Sequence, residues 1–442
     1  MRWYSRSRPS RRPRAPLRAG LFHPSLITRH EFCNAYHLPN QSLVFVVLLA
    51  FRPTPDSTPE SRESELEVMQ VDSTKMRKAQ RCAEIMKNWT GGTKFLAVGA
   101  MLFSGALATA QTAPPPRIYH LDGDIEGVHD PSIISQNGTW YLFGTATEKG
   151  PHAQLPMRCS NDLEHWKRCG AVFAAIPDWI QKESPETKDL WAPDISYFNG
   201  KYHVYYAYSA FGKNTSGIAL VTNKTLDQSS PDYRWVDEGL VLKSLASDDF
   251  NAIDPNIVFD SAGTPWLSFG SFWSGIKMRC LDSASGKLSP KDGKLYSLAS
   301  RERPENPAPA PPGLPADWQA IEAPFIVHHG DYYYLFVSFD LCCRGVKSNY
   351  RTMVGRSHDV TDPYVDADGK PMLHGGGTAL LTGNARWFGP GGESILQQPS
   401  GDIIVFHAYD GKTGHPFLQI STIDWTSGWP RAALEGDSSA AK

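Results

Sequence analysis

Short apolar runs separated by polar turns dominate the chain after residue 115. Aromatic residues crowd into several of these runs, as at Tyr332, Tyr333, Tyr334 and Phe336, and apolar residues spaced at i, i+3, i+4 and i+7 are rare. Strands that alternate with tight turns produce this pattern, whereas amphipathic helices do not. The pattern predicts an all-β body.

One phrase occurs five times: a turn with Pro or Gly, a short apolar strand, a polar turn and an aromatic strand. Successive phrases lie about 62 to 69 residues apart, which suits a four-stranded sheet with long loops. Five such units predict a five-bladed β-propeller whose turn phrases meet at one rim of a central channel. A two-sheet sandwich is the alternative, which the long regular period disfavours. The five turn phrases are 129–133, 191–195, 253–257, 322–326 and 391–395.

The first 110 residues differ from these repeats. Seven arginines fall in the first twenty positions, and a polar stretch rich in Ser and Glu follows at 56–67. From Met86 the chain resembles a signal peptide, with an apolar run from Phe95 to about Leu107 and a small-residue cleavage site at 108–110. A signal anchor is the alternative, but the apolar run is shorter than the roughly 20 residues that span a bilayer.

These features predict three segments. Residues 1–85 are interpreted as a non-structural extension and an artefact of the gene model, with translation starting at Met86. Residues 86–110 are the predicted signal peptide, and 111–442 a single propeller domain. The mature protein is then expected to be secreted and extracellular.

Charge narrows the range of partners. Without residues 1–110 the chain keeps 28 basic and 38 acidic residues, a net charge of about −10. Such a surface repels polyanions, so neither nucleic acid nor an anionic membrane is an expected partner, whereas a neutral polymer is compatible. The protein is expected to be a monomer.

Three acids interrupt the repeat. Asp130 and Asp254 precede prolines of the first and third phrases, and Glu322 lies one position earlier in the fourth. A single Asp-Pro is an ordinary turn opener. Like charges that converge on one axis raise the proton affinity of at least one of them, which separates a general acid from a general base. Glycoside hydrolysis needs such a pair.

The chain resembles the arabinanases of glycoside hydrolase family 43, which are five-bladed propellers with an Asp, Asp, Glu triad. The resemblance covers about residues 116–430, and the phrase Ser271-Phe272-Trp273 points to the endo-arabinanase branch. The other phrases that carry it are His129-Asp130-Pro131-Ser132-Ile133, Trp191-Ala192-Pro193-Asp194-Ile195, Asn251-Ala252-Ile253-Asp254-Pro255, Ile321-Glu322-Ala323-Pro324, Cys342-Cys343 and Gly389-Pro390-Gly391-Gly392-Glu393-Ser394.

The resemblance implies a secreted, endo-acting, inverting hydrolase that cuts α-1,5 bonds in the arabinan side chains of cell-wall pectin. Asp130 would be the general base, Glu322 the general acid, and Asp254 the residue that orients the acid and raises its pKa. The chemistry would need no cofactor. An exo-acting arabinofuranosidase or β-xylosidase on the same fold is one alternative. A noncatalytic sugar-binding propeller is another, although it would not need three acids.

Seven further residues form the predicted substrate-binding set. The two tryptophans are interpreted as sugar platforms, with blade packing as the alternative, and the glycine as a place where sugar comes close. The histidine either contacts sugar or caps a turn. The set is His129, Trp191, Gly217, Asn251, Ser271, Phe272 and Trp273.

His407 follows an apolar strand, where a histidine usually belongs to the core. The resemblance implies instead a channel histidine that holds a calcium or other hydrated ion, ligated mostly by water. Five cysteines follow residue 110, so at least one stays unpaired, and their spacing does not indicate zinc. The resemblance implies a Cys342–Cys343 disulfide. Cys159 and Cys169 flank a turn and are a second candidate pair.

A proline-rich stretch at 301–318, immediately before Glu322, departs from the family pattern. Such a segment is extended and stiff. It either walls one end of the cleft, which would favour exo action, or is a passive surface excursion.

Overall fold

The computed structural model describes residues 115–146, 153–361 and 363–437, which form twenty β-strands in five sheets. The predicted extension (1–85) and signal peptide (86–110) lie outside the described residues. Strands adjacent in sequence pair antiparallel within each sheet. The sheets are the blades of a five-bladed β-propeller, as the repeat predicts.

The strands follow the order of the repeats. Blade one contains β1 (Asp122–Gly123), β2 (Ser132–Gln136), β3 (Thr139–Phe143), β4 (Gln154–Ser160) and β5 (His165–Phe173). Blade two contains β6 (Leu190–Phe198), β7 (Lys201–Tyr208), β8 (Gly217–Asn223) and β9 (Val236–Lys243). Blade three contains β10 (Asn256–Phe259), β11 (Pro265–Phe269), β12 (Ile276–Cys280) and β13 (Tyr296–Ala299). Blade four contains β14 (Ile321–His329), β15 (Tyr332–Phe339), β16 (Arg351–Ser357) and β17 (Thr378–Leu381). Blade five contains β18 (Trp387–Leu396), β19 (Ile403–Asp410) and β20 (Pro416–Thr422).

Helices are short in the described part of the chain. Its single α-helix, α1 (Asp178–Glu183), has six residues. Three 3₁₀ turns cover Asp317–Gln319, Gly345–Lys347 and Met372–His374. Within the described ranges, no helix combines the length and the apolar character needed to cross a membrane.

The segment ahead of β2 closes the ring of blades. Its residues Ile118 and Glu126 form antiparallel bridges with Ser421 and Phe417 of β20, and so extend the three-stranded sheet of blade five. Between these bridges β1 pairs in parallel with β5 of blade one. One segment therefore hydrogen-bonds to the first and the last blade, so that backbone bonds as well as packing hold the ring shut.

The apolar core lies between the blades. Each of five buried clusters joins two neighbouring sheets, as where Tyr141 of blade one and Tyr206 of blade two share one cluster. Because apolar side chains fill the interfaces between sheets, the innermost positions near the axis are free to be polar. Propellers are held together in this way by sheet-on-sheet packing.

A left-handed backbone residue occurs at the same point of all five repeats. Four of these residues are not glycine, and such a conformation costs about 1–3 kcal/mol each. All five line one narrow axial cavity, which shows that the turn phrases converge as the repeat predicts. The residues are Asp130 (φ 49°), Ala192 (φ 44°), Asp254 (φ 55°), Ala323 (φ 52°) and Gly392 (φ 59°).

Two positions further along, polar side chains tie successive blades together. Each accepts a hydrogen bond from a backbone N–H of the next blade: Ser132 from Ile195 (3.1 Å), Asp194 from Ile257 (2.9 Å) and Asn256 from Ile326 (2.9 Å). We name these three bonds the blade relay. A buried N–H that would otherwise lack a partner is satisfied at each step.

The blade relay stops at blade four. Phe325 occupies the equivalent position there and has no side-chain acceptor. In blade five the hydroxyl of Ser394 is buried and has no hydrogen-bond partner within the described residues. The interface of blades four and five has other contacts: apolar packing, for example of Phe336, and hydrogen bonds of the Ser338 hydroxyl with blade five.

The blade relay predicts an asymmetric effect on stability. Asn256→Ala leaves the N–H of Ile326 buried without its acceptor, which costs about 1–3 kcal/mol, so the free energy of unfolding in urea should fall by about that amount. Ser394→Ala is the matched control at the same repeat position, and it should change stability little because it removes a hydroxyl without a partner in the described structure. Equal losses in the two variants would show that the blade relay does not stabilise the ring.

Candidate active site

A cavity of about 640 Å³ opens at the rim where the turn phrases meet. The three predicted acids line it: Asp130 from blade one, Asp254 from blade three and Glu322 from blade four. Six of the seven predicted substrate-binding residues line it as well. They are His129, Trp191, Asn251, Ser271, Phe272 and Trp273.

Gly217 is the exception. It begins β8 and is buried, and a Cβ atom at this position would lie 2.3 Å from a ring carbon of Tyr208. Gly217 is not among the described residues that line the cavity. The missing side chain therefore makes room for the Tyr208 ring rather than for a ligand.

Asp130 is held in its ionised form. Its Oδ2 atom lies 2.8 Å from Nδ1 of His129 and accepts a hydrogen bond of 2.6 Å from the Thr145 hydroxyl. Burial alone would raise the pKa of Asp130, but the charge and hydrogen bond of His129 outweigh burial and lower the pKa to about 2. Asp130 can therefore accept a proton across the neutral pH range.

Glu322 is held in the opposite state. The Ser271 hydroxyl donates to Oε2 (2.6 Å) and the Tyr350 hydroxyl donates to Oε1 (2.7 Å). Burial raises the pKa of Glu322, these two hydrogen bonds oppose the rise, and the charge of Asp130 adds to it. The net effect is a raised pKa, so Glu322 keeps its proton to higher pH than an ordinary glutamate.

The backbone of blade three also fixes Glu322. Ser271 forms an isolated bridge with Glu322, and the N–H of Phe272 donates to the carbonyl of Ile321 (2.8 Å). Phe272 and Trp273 both have left-handed backbones, with φ of 55° and 42°. This strained turn carries three predicted binding residues past the acid, and strain of this kind is typical of functional sites.

Asp254 is coupled to Glu322. Its Oδ2 atom accepts a hydrogen bond of 3.1 Å from the N–H of Ala323, the residue that follows Glu322. Burial and the charges of Glu322 and Asp130 raise the pKa of Asp254 well above its usual range. Two buried carboxyls that interact in this way resist the loss of both protons, so Asp254 increases the proton affinity of the pair.

Aromatic side chains support Asp130 from one side. Nε2 of His129 lies 2.7 Å from the hydroxyl oxygen of Tyr409, and the rings of His129 and His407 stack with centroids 3.7 Å apart. The backbone N–H of Asp130 donates to Nδ1 of His407 over 3.3 Å. His129 therefore supports the carboxylate directly, which is more than the capping of a turn.

His407 is fully buried within β19, and its Nε2 atom has no hydrogen-bond partner in the described part of the chain. Burial and the neighbouring His129 lower its pKa well below the usual value, so its imidazole is neutral. Because Nδ1 accepts a hydrogen bond, the neutral ring carries its proton on Nε2. This orphaned buried N–H needs an acceptor, which a water molecule, free or in the shell of a hydrated ion, can supply.

Two more acids lie at the axis. Asp194 and Glu393 line the narrow axial cavity together with Asp130 and Asp254. Burial raises the pKa of both Asp194 and Glu393 to about 7. Glu393 accepts hydrogen bonds from Ser338 (3.0 Å) and from one further hydroxyl at 3.1 Å, yet its Oε1 atom has no partner among the described residues.

Both candidate cysteine pairs are disulfides, Cys159–Cys169 and Cys342–Cys343, and Cys280 is a buried free thiol. The adjacent pair lies in the cavity wall. Sγ of Cys342 is 3.7 Å from Oε1 of Glu322, and Sγ of Cys343 is 3.7 Å from Nε2 of His129. This disulfide therefore contacts the acid and also the histidine that supports Asp130.

The proline-rich stretch forms part of the cavity wall. Pro311, Leu314 and Pro315 line the cavity. Leu314 packs against Gly212 of the loop after β7, where an added Cβ would lie 2.5 Å from Cδ2 of Leu314. Phe211, 78% exposed, lines the cavity beside this contact.

Three supporting residues were not predicted from the sequence: Thr145 and Tyr350, which donate hydrogen bonds to the acids, and Tyr409, which contacts His129. Tyr409 lies two residues after His407 in one strand and so shares its face, a signal that the spacing offered. Thr145 and Tyr350 lie at loop positions without a motif. Only the folded topology brings them to Asp130 and Glu322.

Comparison with known proteins agrees with this geometry. The family described as glycosyl hydrolases family 43 matches residues 125–430. An extracellular endo-α-(1→5)-L-arabinanase 1 of Bacillus subtilis is 42% identical over 335 residues, which cover 75% of this chain and 95% of the relative. An extracellular exo-α-(1→5)-L-arabinofuranosidase of Cellvibrio japonicus is 43% identical over 313 residues, 69% of this chain and 86% of the relative.

Solved structures give the same result. The endo-arabinanase of Bacillus licheniformis superposes with a TM-score of 0.63 at 43% identity, over 71% of this chain and 99% of the other. The native arabinanase of Bacillus subtilis gives 0.62 at 41% identity, over 71% of this chain and 100% of the other. Each match covers nearly the whole length of the solved chain, so the region shared with this chain is a complete propeller.

Proposed function

The chain belongs to glycosyl hydrolase family 43, and we propose that it hydrolyses internal α-1,5 bonds of arabinan with inversion at the anomeric carbon. The observation that carries the proposal is a pair of carboxyls in one cleft whose pKa values are shifted in opposite directions. Asp130 has a pKa lowered to about 2, whereas burial and the charge of Asp130 raise the pKa of Glu322. One group is thus ready to accept a proton and the other to donate one.

The reaction follows from these two states. Asp130 removes a proton from a water molecule as that water attacks the anomeric carbon. Protonated Glu322 gives its proton to the leaving glycosidic oxygen, while the hydroxyls of Ser271 and Tyr350 hold its two oxygens in place. Asp254, bonded to the N–H of Ala323, orients the strand that carries the acid and raises its proton affinity.

The cleft can bind a neutral sugar chain. Trp191 and Trp273 line it and offer aromatic faces to the apolar faces of furanose rings. Asn251 is almost fully buried at its wall, and its Oδ1 atom has no partner in the described structure, so it is available to a sugar hydroxyl. Phe272 completes the same wall.

The lining of the cleft supports internal cleavage. Phe211 and Gly212 of blade two line it, and so do Arg344 of blade four and Gly414 of blade five. Lining residues thus come from loops of blades on different sides of the axis, which suits a polymer that binds on both sides of the cut. The exo alternative requires one closed end, and the wall that includes Leu314 is a candidate for it.

Secretion is part of the proposal. The signal-peptide pattern at 86–110 and the relatives named extracellular support it. Two disulfides also fit an oxidising compartment. The monomeric state and the lack of nucleic-acid or membrane partners stay predictions.

We further propose a hydrated cation, such as calcium, near Nε2 of His407. A water molecule of the ion's shell would accept a hydrogen bond from the orphaned Nε2–H, and the carboxyls at the axis favour positive charge. Bound there, an ion would neutralise charge near Asp130, and the hydrolytic chemistry itself needs no cofactor.

If Asp130 is the general base and Glu322 the general acid, Asp130→Ala and Glu322→Ala should each lower kcat on linear arabinan by about 10²- to 10⁴-fold. This is the usual contribution of general acid or base assistance. Circular dichroism should show intact folds. Asp368→Ala, which changes an exposed turn acid, is the control and should keep full activity. Near-normal turnover in either cleft variant would remove that residue from the mechanism.

Asp254→Asn tests the role of Asp254 through the dependence of the rate on pH. Without a second carboxyl beside it, Glu322 should lose its proton at lower pH, so the alkaline limb of the rate–pH profile should move to lower pH. An unchanged limb would contradict the proposed effect of Asp254 on the acid.

Internal cleavage predicts that the viscosity of linear arabinan falls well before much reducing sugar appears, with a mixture of oligosaccharides as early products. If cleavage is internal, the wall that includes Leu314 does not set product length. Deleting residues 303–315 should therefore leave this product mixture unchanged. One short product from the start in the wild type, and a mixture after the deletion, would establish the exo alternative.

If an ion binds near His407, removing it should change the thermal stability of the protein. A chelator should lower the Tm of the wild type, and calcium should restore it, because a ligand that binds only the folded state stabilises that state. His407→Ala should have a Tm that neither treatment changes. A wild-type Tm that is insensitive to chelator and to added calcium would exclude the ion.

A further inference from the structure

Three ligand atoms with a preference for soft metal ions meet in the cleft wall. Nε2 of His129 and the Sγ atoms of Cys342 and Cys343 all lie within 4.8 Å of one another. Imidazole nitrogen with two thiolates is a ligand set that zinc and other thiophilic divalent ions favour. In the oxidised protein the two sulfurs are bonded to each other, so this ligand set is masked.

The separations suit a tetrahedral ion. Metal–sulfur and metal–nitrogen bonds of about 2.3 and 2.0–2.1 Å place sulfur and nitrogen about 3.6 Å apart at a tetrahedral angle. Sγ of Cys343 lies 3.7 Å from Nε2 of His129. Oε1 of Glu322 lies 3.7 Å from Sγ of Cys342, a distance that suits a fourth ligand. The two sulfurs must separate to bind the ion, and breaking their bond allows that.

The surroundings of His129 match those of a metal-bound histidine. Such a histidine usually donates its other ring N–H to a carboxylate, which fixes the tautomer and strengthens the ligand. Nδ1 of His129 lies 2.8 Å from Oδ2 of Asp130, so Nε2 points away from that carboxylate. In the oxidised protein Nε2 lies 2.7 Å from the Tyr409 hydroxyl oxygen, a contact that a metal ion would replace.

We propose that reduction of the Cys342–Cys343 disulfide creates a site for zinc or another thiophilic divalent ion, formed by His129, Cys342 and Cys343. A dithiol reductant supplies two electrons and two protons: the S–S bond breaks, two thiols form, and the reductant becomes a disulfide. Metal binding then releases the two thiol protons to solvent. The ion would lie beside the Glu322 carboxyl, on the side of the His129 ring that faces away from Asp130, and would stop hydrolysis by engaging the acid. Only this last effect depends on the proposed function.

Cadmium is the probe, since its thiolate bonds absorb in the ultraviolet. The intact protein is reduced with dithiothreitol, freed of reductant without oxygen and titrated with cadmium at pH 8. We expect one cadmium per chain by native mass spectrometry, the thiolate absorption band, and loss of arabinan hydrolysis with the same stoichiometry. Reoxidation after removal of cadmium should restore activity. Oxidised wild type should show neither the band nor the loss.

Variants separate this site from the other cysteines. Cys159→Ser/Cys169→Ser should bind cadmium like the wild type, whereas Cys342→Ser/Cys343→Ser should lose the band. Asp130→Asn should keep the band with affinity about 10- to 100-fold lower, as for other outer-shell partners of a metal-bound histidine. His129→Gln should weaken binding at least as much.

Two results would overturn the proposed site. Equal cadmium binding by the reduced wild type and by Cys342→Ser/Cys343→Ser would place the metal elsewhere. Unchanged affinity in His129→Gln would remove the histidine from the ligand set. Both readouts measure binding, so they hold even if the substrate is not arabinan.

Discussion

The site depends on one backbone constraint, a left-handed residue that lies just before or within the innermost strand of every blade. It recurs at Asp130, Ala192, Asp254, Ala323 and Gly392, and four of these five positions pay a steric penalty that glycine would avoid. The packing between blades and the blade relay hold these strands in place, and so stabilise a conformation that the isolated segments would not keep. The strained backbone at the axis therefore depends on the packing between the sheets.

The same constraint explains why the acids are offset in the sequence. In blades one and three the acid is the left-handed residue itself, whereas in blade four it precedes the left-handed Ala323. Glu322 therefore sits at the repeat position of His129, beside the cleft, and can meet the strained turn at Ser271. Burial then acts on all three carboxyls in the same direction. Only Asp130 has a histidine whose charge and hydrogen bond reverse the effect on its pKa.

The sequence predicts the repeated structural unit and the unusual acidic residues at repeat positions. The five repeats predict the blades, and acids at repeat positions predict the triad at Asp130, Asp254 and Glu322. Thr145 and Tyr350 escape prediction because they lie in loops, 15 and 28 residues from the acids they contact, where no motif marks them. Gly217 shows the converse: sequence alone does not tell a glycine that admits a ligand from one that admits a neighbouring ring, here Tyr208.

The polar axis that permits the site also limits its stability at high pH. Burial raises the pKa of Asp194 and Glu393 to about 7 in the folded protein, above the value of either group in an unfolded chain. The folded state therefore binds more protons than the unfolded state between about pH 4 and 7, and stability from these groups is lost as the pH rises through that window. Asp194 cannot simply be replaced by an apolar residue, because its carboxyl accepts the N–H of Ile257 in the blade relay. A cation at the axis would favour the charged forms of both acids and lower their pKa, so an ion near His407 would offset the cost of burying these two carboxyls.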